Sequence, residues 1–422
     1  MKPIPGRVKR MISVAATGLL VATSMTATDW PQFRGPDRGG TVHEAGLLES
    51  WAEGQPTVVW RRSIGTGYSA VSAVGDRLYT MDADESQEHV LCLDAATGET
   101  LWEVDAGEFV QAELGDGGPR STPSVAGGIV YTTTSQALLL ALEAEDGKLI
   151  WKKDLKEIGP SPRFGYAASA LIDGEVVILE VGDKDKSPGI VALDRKTGEV
   201  RWSSLEGAAG YSSAIVAEIG GVRQYVVFRR AGQEAAGLST TGEVLWRFPT
   251  PDALAAIVMP IFMPPDRIFV STSDDSFGGH MIRVISGDEG FEVEEMWSER
   301  LMRNHFNTSV VVDGYLYGFD NGTLRCLDAA SGEKRWAKRG FGKGSVVASG
   351  DLLFVLSDAG MVALVRATPE GFEELGRSQI MEGRSWTAPS LANGRMYLRD
   401  FDEIVSLDIR ADAAKDSQEG AP

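Results

Sequence analysis

The sequence predicts an all-β protein, an eight-bladed β-propeller whose last blade is completed by a strand from near the amino terminus. Two observations carry this. A phrase ending in tryptophan recurs at intervals of 39 to 51 residues, the period of one supersecondary unit per repeat. Ahead of these phrases run pairs of strand-like segments joined by two-residue glycine turns.

The chain has 422 residues. Lys2, Arg7, Lys9 and Arg10 precede a run from Met11 to Ala22 that is apolar apart from Ser13 and Thr17, and small residues follow. That is the layout of a secretory signal peptide, and the apolar run is too short for an ordinary membrane-spanning helix. Residues 1–27 are therefore read as a signal peptide, cleaved after Ser24 or near Ala27, with no cysteine following to accept a lipid. The protein is expected in the periplasm or secreted, without a stable transmembrane segment. Removing these residues, with four basic and no acidic side chains, takes the net charge from −19 to −23. So negative a body argues against nucleic acid as a partner.

Residues 28–56 read as an extended arm. Pro31 and Pro36 in its WPQFRGP segment disfavour regular strand pairing, so the arm is expected to lie along the propeller. Thr57–Arg61, TVVWR, looks like the outer strand of a blade without its companions.

The recurrent phrase follows. It reads LDAATGETLW up to Trp102, LEAEDGKLIW up to Trp151, LDRKTGEVRW up to Trp202 and LDAASGEKRW up to Trp336. A shortened copy ends at Trp246 and a degenerate one at Trp297. An apolar strand end reaches Asp or Glu, whose carboxylate can bond backbone two residues on; a glycine able to take positive φ then turns the chain into the next strand. The tryptophans, with Trp60 of TVVWR, offer a large apolar face at one place per unit for packing on a neighbour. The preceding pairs, such as STPSVAGGIVYT from Ser121 and NTSVVVDGYLYG from Asn307, begin with small hydroxylated strands suited to the crowded ring interior. Seven complete units span 66 to 377, and an eighth from Ser385 to Ile409 lacks its outer strand. Thr57–Arg61 supplies it, removing the open edge. The propeller thus covers 57–410, and 411–422 is a polar tail.

These phrases resemble the repeat of the pyrroloquinoline-quinone (PQQ) propeller superfamily, which includes PQQ-dependent dehydrogenases and the BamB outer-membrane assembly lipoproteins. For a dehydrogenase the resemblance implies a vicinal cysteine pair, a calcium held by carboxylate and amide oxygens, and an aspartate base. Cys92 and Cys326 fall in blades one and six, so they are not neighbours, and each reads as a small buried strand residue. Asp94, Asp194 and Asp328 belong to the turns. Four histidines, His43, His89, His280 and His305, stand in no catalytic or metal-binding motif. The glycine-rich stretches near Gly115 and Gly342 lack the phosphate-loop pattern.

One positional pattern remains. The loops leading into the first strands carry Arg120, Arg163, Arg303 with His305, Lys343, and Arg384 with Trp386. Convergence of these groups makes a basic, partly aromatic mouth on a negative body, suited to a carboxylate-bearing ligand or acidic peptide. The reading is a monomeric, non-catalytic binding scaffold of the bacterial envelope, similar to BamB, with an unidentified envelope protein or peptide as partner and neither cofactor nor metal. The alternative is an oxidoreductase using PQQ and calcium.

Overall fold

In the computed structural model, residues 28–52, 56–109, 117–159, 165–182, 187–230, 232–251 and 256–411 are described. The signal peptide, Arg163 and nearly all of the polar tail lie outside them. Among the described residues, eight sheets are strung along the chain, over 72–108, 124–154, 171–206, 215–249, 261–299, 310–339, 345–379 and, for the last, 390–408 with an added strand; each has four antiparallel strands, and the seventh carries a fifth, parallel one. That strand is β2, Thr57–Ser63, antiparallel to Glu403–Asp408 as the outer strand of blade eight. The buried Arg399 of blade eight seals the seam by donating to the Ser69 carbonyl at 2.9 Å and to Thr80 Oγ1 at 3.0 Å in blade one.

The small hydroxylated residues at the starts of the blades form a belt around the axis. Ala70 N donates to Thr122 Oγ1 at 3.0 Å, Thr122 N to Ser169 Oγ at 2.9 Å, and Ser169 N to Ser213 Oγ at 2.8 Å. Met259 N donates to Thr308 Oγ1 at 3.0 Å, and Thr387 Oγ1 to the Tyr68 carbonyl at 3.3 Å. A side chain no longer than serine or threonine lets adjacent inner strands approach while supplying the polar partner that their backbones need.

The tryptophans close the ring from outside. Each outer strand has a β-bulge just before its tryptophan, as where Cys92 faces Trp102 but Leu93 faces Thr100. The bulge turns the indole toward the next blade. Trp60, Trp102, Trp151 and Trp202 donate Nε1 to the carbonyls of Ala95, Ala144, Arg195 and Thr240, all in the following blade's turn, at 3.0 to 3.2 Å. Trp297 and Trp336 do the same to Ala329 and Thr368. The turns are shaped to receive them: Asp94 Oδ1 accepts from the backbone N–H groups of Ala96 and Thr97. In five turns the glycine has φ between +72° and +87°, and a Cβ there would stand 2.6 to 2.8 Å from the indole. Trp246 differs, donating to Gln224 Oε1 of its own blade at 2.7 Å. Blade five joins its last strands by a tight Gly287 to Gly290 turn, which offers no such carbonyl.

The arm does not lie along the outside. It enters the ring on the face bearing these turns and plugs the axis. Trp30 exchanges two 2.8 Å backbone bonds with Ala73 of blade one, and the Pro31 carbonyl accepts from Val125 N of blade two. Arg38, 2% exposed, donates to the Ser169 carbonyl at 3.2 Å and the Ala214 carbonyl at 3.0 Å, in blades three and four. Arg34, equally buried, reaches the Ser309 carbonyl of blade six at 2.9 Å. β1, Thr41–Val42, pairs parallel with the first strand of blade seven. The prolines do limit pairing to single bridges and this two-residue strand. What they leave open is anchoring by arginine side chains, which needs no strand geometry.

Trp51 ends the arm with a further role. Blade seven has Gly376 where other blades carry the tryptophan, opposite Leu364 and beside the same bulge. Trp51 fills the vacancy: its backbone N–H donates to the Leu375 carbonyl at 2.9 Å, and its ring lies 6.5 Å from that of Phe354. Tyr317 and Trp336 of blade six form the corresponding pair at 5.9 Å. The arm thus lends blade seven the residue its own sequence lacks.

Candidate binding site

The loops leading into the first strands share the face opposite the arm, and there the mouth is built. Tyr68, from the lead into blade one, stacks on Trp386 of blade eight, with centroids 6.3 Å apart and planes 18° apart. Trp386 continues to Phe306 of blade six at 4.6 Å, and Phe401 meets the Tyr68 edge at 4.7 Å. All four rings are half-buried, so each keeps a solvent-facing portion.

Cations sit over this arc of rings. Arg384 lies 4.7 Å from the Trp386 centroid and 5.1 Å from that of Phe401. Arg120 is 5.3 Å from Tyr68, and the Lys343 ammonium 5.5 Å from Phe306. Such contacts hold long side chains near the ring faces. His305 touches the Phe306 edge at 3.9 Å. Burial, with the nearby Lys343 charge, pushes its pKa down to about 4, so it is neutral at physiological pH.

Backbone bonds fix the arrangement. Asp358 Oδ2 accepts from Lys343 N at 2.9 Å, and Asn307 Nδ2 donates to the Gly344 carbonyl at 3.3 Å. The crevice between His305, Asn321 and Lys343 is too narrow for even a water molecule, so the site is an open platform.

Of the sequence-predicted set, Arg120, His305, Lys343, Arg384 and Trp386 come together here. Arg303 does not. Its Nε donates to Asp320 Oδ1 at 2.6 Å and its Nη1 pairs with Asp275, so its charge is spent within the loop structure. Arg163 lies outside the described residues. Phe306 and Phe401 were not among the expected site residues; Phe306 adjoins His305 in the sequence, but only the ring geometry reveals the continuous aromatic arc.

The vicinal cysteine pair that the dehydrogenase resemblance implies is not formed. Cys92 and Cys326 are buried free thiols in different blades, pushed up by burial to about 11 and about 12. Among the described residues no three His, Cys, Asp or Glu side chains are grouped to hold a metal ion. The axis carries Trp30, Arg34 and Arg38 of the arm, each anchored to blade backbones.

A family model described as outer membrane protein assembly factor BamB matches residues 44–203 and 86–338. The outer membrane protein assembly factor BamB of Burkholderia pseudomallei is 25% identical over 363 residues, 84% of this chain and 77% of that protein. The crystal structure of BamB from Moraxella catarrhalis superposes with a TM-score of 0.59 at 17% identity, covering 83% of this chain and 97% of that one. The quinohemoprotein alcohol dehydrogenase of Comamonas testosteroni superposes with a TM-score of 0.65 at 12% identity, covering 90% and 80%. At these identities the two structures speak for the shared propeller alone. Among the described residues no helix is long and apolar enough to cross a membrane.

Proposed function

Because the chain belongs to the family of the outer membrane protein assembly factor BamB, we propose that it is a non-catalytic scaffold of the bacterial envelope that holds a protein or peptide partner on its propeller. The observation that carries this reading is the axial plug. The arm sets Trp30, Arg34 and Arg38 in the channel and ties them to blades one, three, four and six. The two cysteines, in blades one and six, cannot form the vicinal pair that the dehydrogenase resemblance implies. The chemistry open to solvent is then that of a surface: cations, aromatic faces and turns.

The test is a titration of the mature protein with PQQ and calcium, followed by cofactor absorbance, melting temperature and dye reduction with alcohols and sugars. The scaffold reading expects no saturable binding and no turnover. Stoichiometric PQQ binding with substrate-dependent dye reduction would establish the oxidoreductase instead. Co-purification from envelope extracts after crosslinking, set against a strain lacking the outer-membrane assembly machinery, would identify the partner.

A further inference from the structure

Resting on the scaffold reading, we infer that the outer edge of blade one is the partner's docking strand. An extended segment adds to Thr100–Glu108 as a further strand, with large apolar side chains on one of its faces and basic ones on the other. The edge is open: Thr100–Glu108 ends its sheet and, among the described residues, pairs only with Gln87–Asp94. Its unpaired N–H and C=O groups are a template for an incoming strand. Beside it lies a groove. Two residues after the tryptophan, Arg62, Phe248 and Lys338 reach across their seams, to Gly98 and Thr100, to His280 and to Phe372 of the following blades. Blade one has Val104 there, then Ala106, and these short side chains leave a groove of about 290 Å³ whose far wall is Leu138, Leu140 and Leu142 of blade two. Leu149, at its rim, is 46% exposed. The volume falls below the roughly 300–1,000 Å³ of small-molecule pockets, and suits a large side chain.

The strand's own alternation dictates that of its occupant. Trp102, Val104 and Ala106 pack into the seam with blade two, whereas Glu103 and Asp105 lie exposed between them. An added strand continues the same pleat, so its side chains meet the groove and the carboxylates in turn. The carboxylates set the sign. Glu99, Glu103, Asp105 and Glu108 are all exposed, as are Asp84 and Glu85 of the adjoining turn. These six face Lys148 and Lys152 of blade two and Arg62 of blade eight, whose guanidinium is bonded to the Gly98 carbonyl and Thr100 Oγ1. His89 Nε2 lies 3.9 Å from both Asp84 and Asp105, with Nδ1 on Asp82 at 3.0 Å. The balance along the strand is negative, like the −19 of the whole protein, so the near and the long-range field both favour a basic segment. The same carboxylates repel the like edge of a second copy.

The test uses the mature full chain and a fluorescein-labelled peptide of alternating Phe and Lys, read by fluorescence anisotropy. Control peptides alternate Lys with Ala, keeping the charge alone, and Glu with Phe, keeping the apolar face alone. The Phe-Lys peptide is expected to saturate and to bind best of the three. Leu138→Trp, which fills the groove, and the double variant Glu103→Lys, Asp105→Lys should each weaken it at least about tenfold, as loss of central anchors does. Glu292→Lys with Glu294→Lys, on the exposed outer strand of blade five, should leave it unchanged. Main-chain pairing has its own signature: backbone N-methylation of one alternate set of peptide residues should abolish binding, and of the other set should spare it. Unaltered melting curves confirm that the variants are folded. The inference is overturned if the Phe-Lys peptide fails to saturate, if either control binds equally well, if both methylated sets bind alike, or if the blade-one variants bind like the parent. Sedimentation showing a dimer that those variants dissociate would also overturn it, by giving the edge to a second copy. Such failure with PQQ also inert would remove the docking strand and leave the scaffold reading standing; PQQ binding with turnover would remove the scaffold reading itself.

Discussion

A Gly147→Ala variant is expected to unfold at a markedly lower denaturant concentration than Gly128→Ala, although the two glycines sit in the same blade with nearly the same backbone conformation. Their φ angles are +75° and +76°. A Cβ at Gly128 would meet nothing within 4 Å, whereas at Gly147 it would stand 2.8 Å from the Trp102 ring and 2.9 Å from Val104. Both substitutions incur the left-handed penalty of about 1–2 kcal/mol. Only Gly147→Ala also forces a bulky indole off a neighbouring blade, adding about 1–3 kcal/mol of overpacking. Equilibrium denaturation of both variants gives the difference directly. Repeating both in a Trp102→Ala background should narrow the gap between the two penalties to what the Val104 contact contributes, since most of the excess belongs to the Gly147–Trp102 pair. Equal penalties with Trp102 present would mean that the indole does not rest on the turn.

Trp51→Ala should be as damaging as truncating a tryptophan inside a blade, about 3–5 kcal/mol, although Trp51 belongs to none of them. Its ring is 8% exposed and sits in one core with Phe354, Met396 and Leu407 of blades seven and eight. Gly376, the residue facing it, has no side chain to fill the space. Denaturant midpoints of Trp51→Ala and Trp336→Ala should therefore fall together, with Trp51→Phe in between. A Trp51→Ala midpoint matching that of the parent would show that blade seven needs no borrowed tryptophan.

How much of this could be read from residues alone depended on whether the partner lay nearby in sequence. The Asp-x-x-x-Gly turns and the tryptophans after them are local and repeated, so they give the blade count. β2 was recognisable because TVVWR is a fragment of that same phrase. The plug was not, because Arg34 and Arg38 bind carbonyls 131 to 275 residues away and carbonyls carry no sequence signal. Trp51 was equally hidden: its clue was a tryptophan missing from blade seven. At the mouth, a shared position before the first strands picked out cations that the fold brings near one another. That rule could not reveal that Asp320 and Asp275 claim Arg303. Nor could it show that Phe306 and Phe401 extend the platform, since both follow from loop conformations rather than strand register.

The account rests most directly on the arm being inside the ring, and native-state hydrogen exchange of the mature protein measures this amide by amide. The N–H groups of Ala73, Val125 and Ala348 donate to arm carbonyls of Trp30, Pro31 and Gly40 at 2.8, 2.8 and 2.9 Å. They are expected to exchange as slowly as amides in the middle strands of the blades, and to lose that protection when residues 28–52 are deleted. Exchange of these three amides in the intact protein at the rate of exposed turns would place the arm elsewhere and contradict the account.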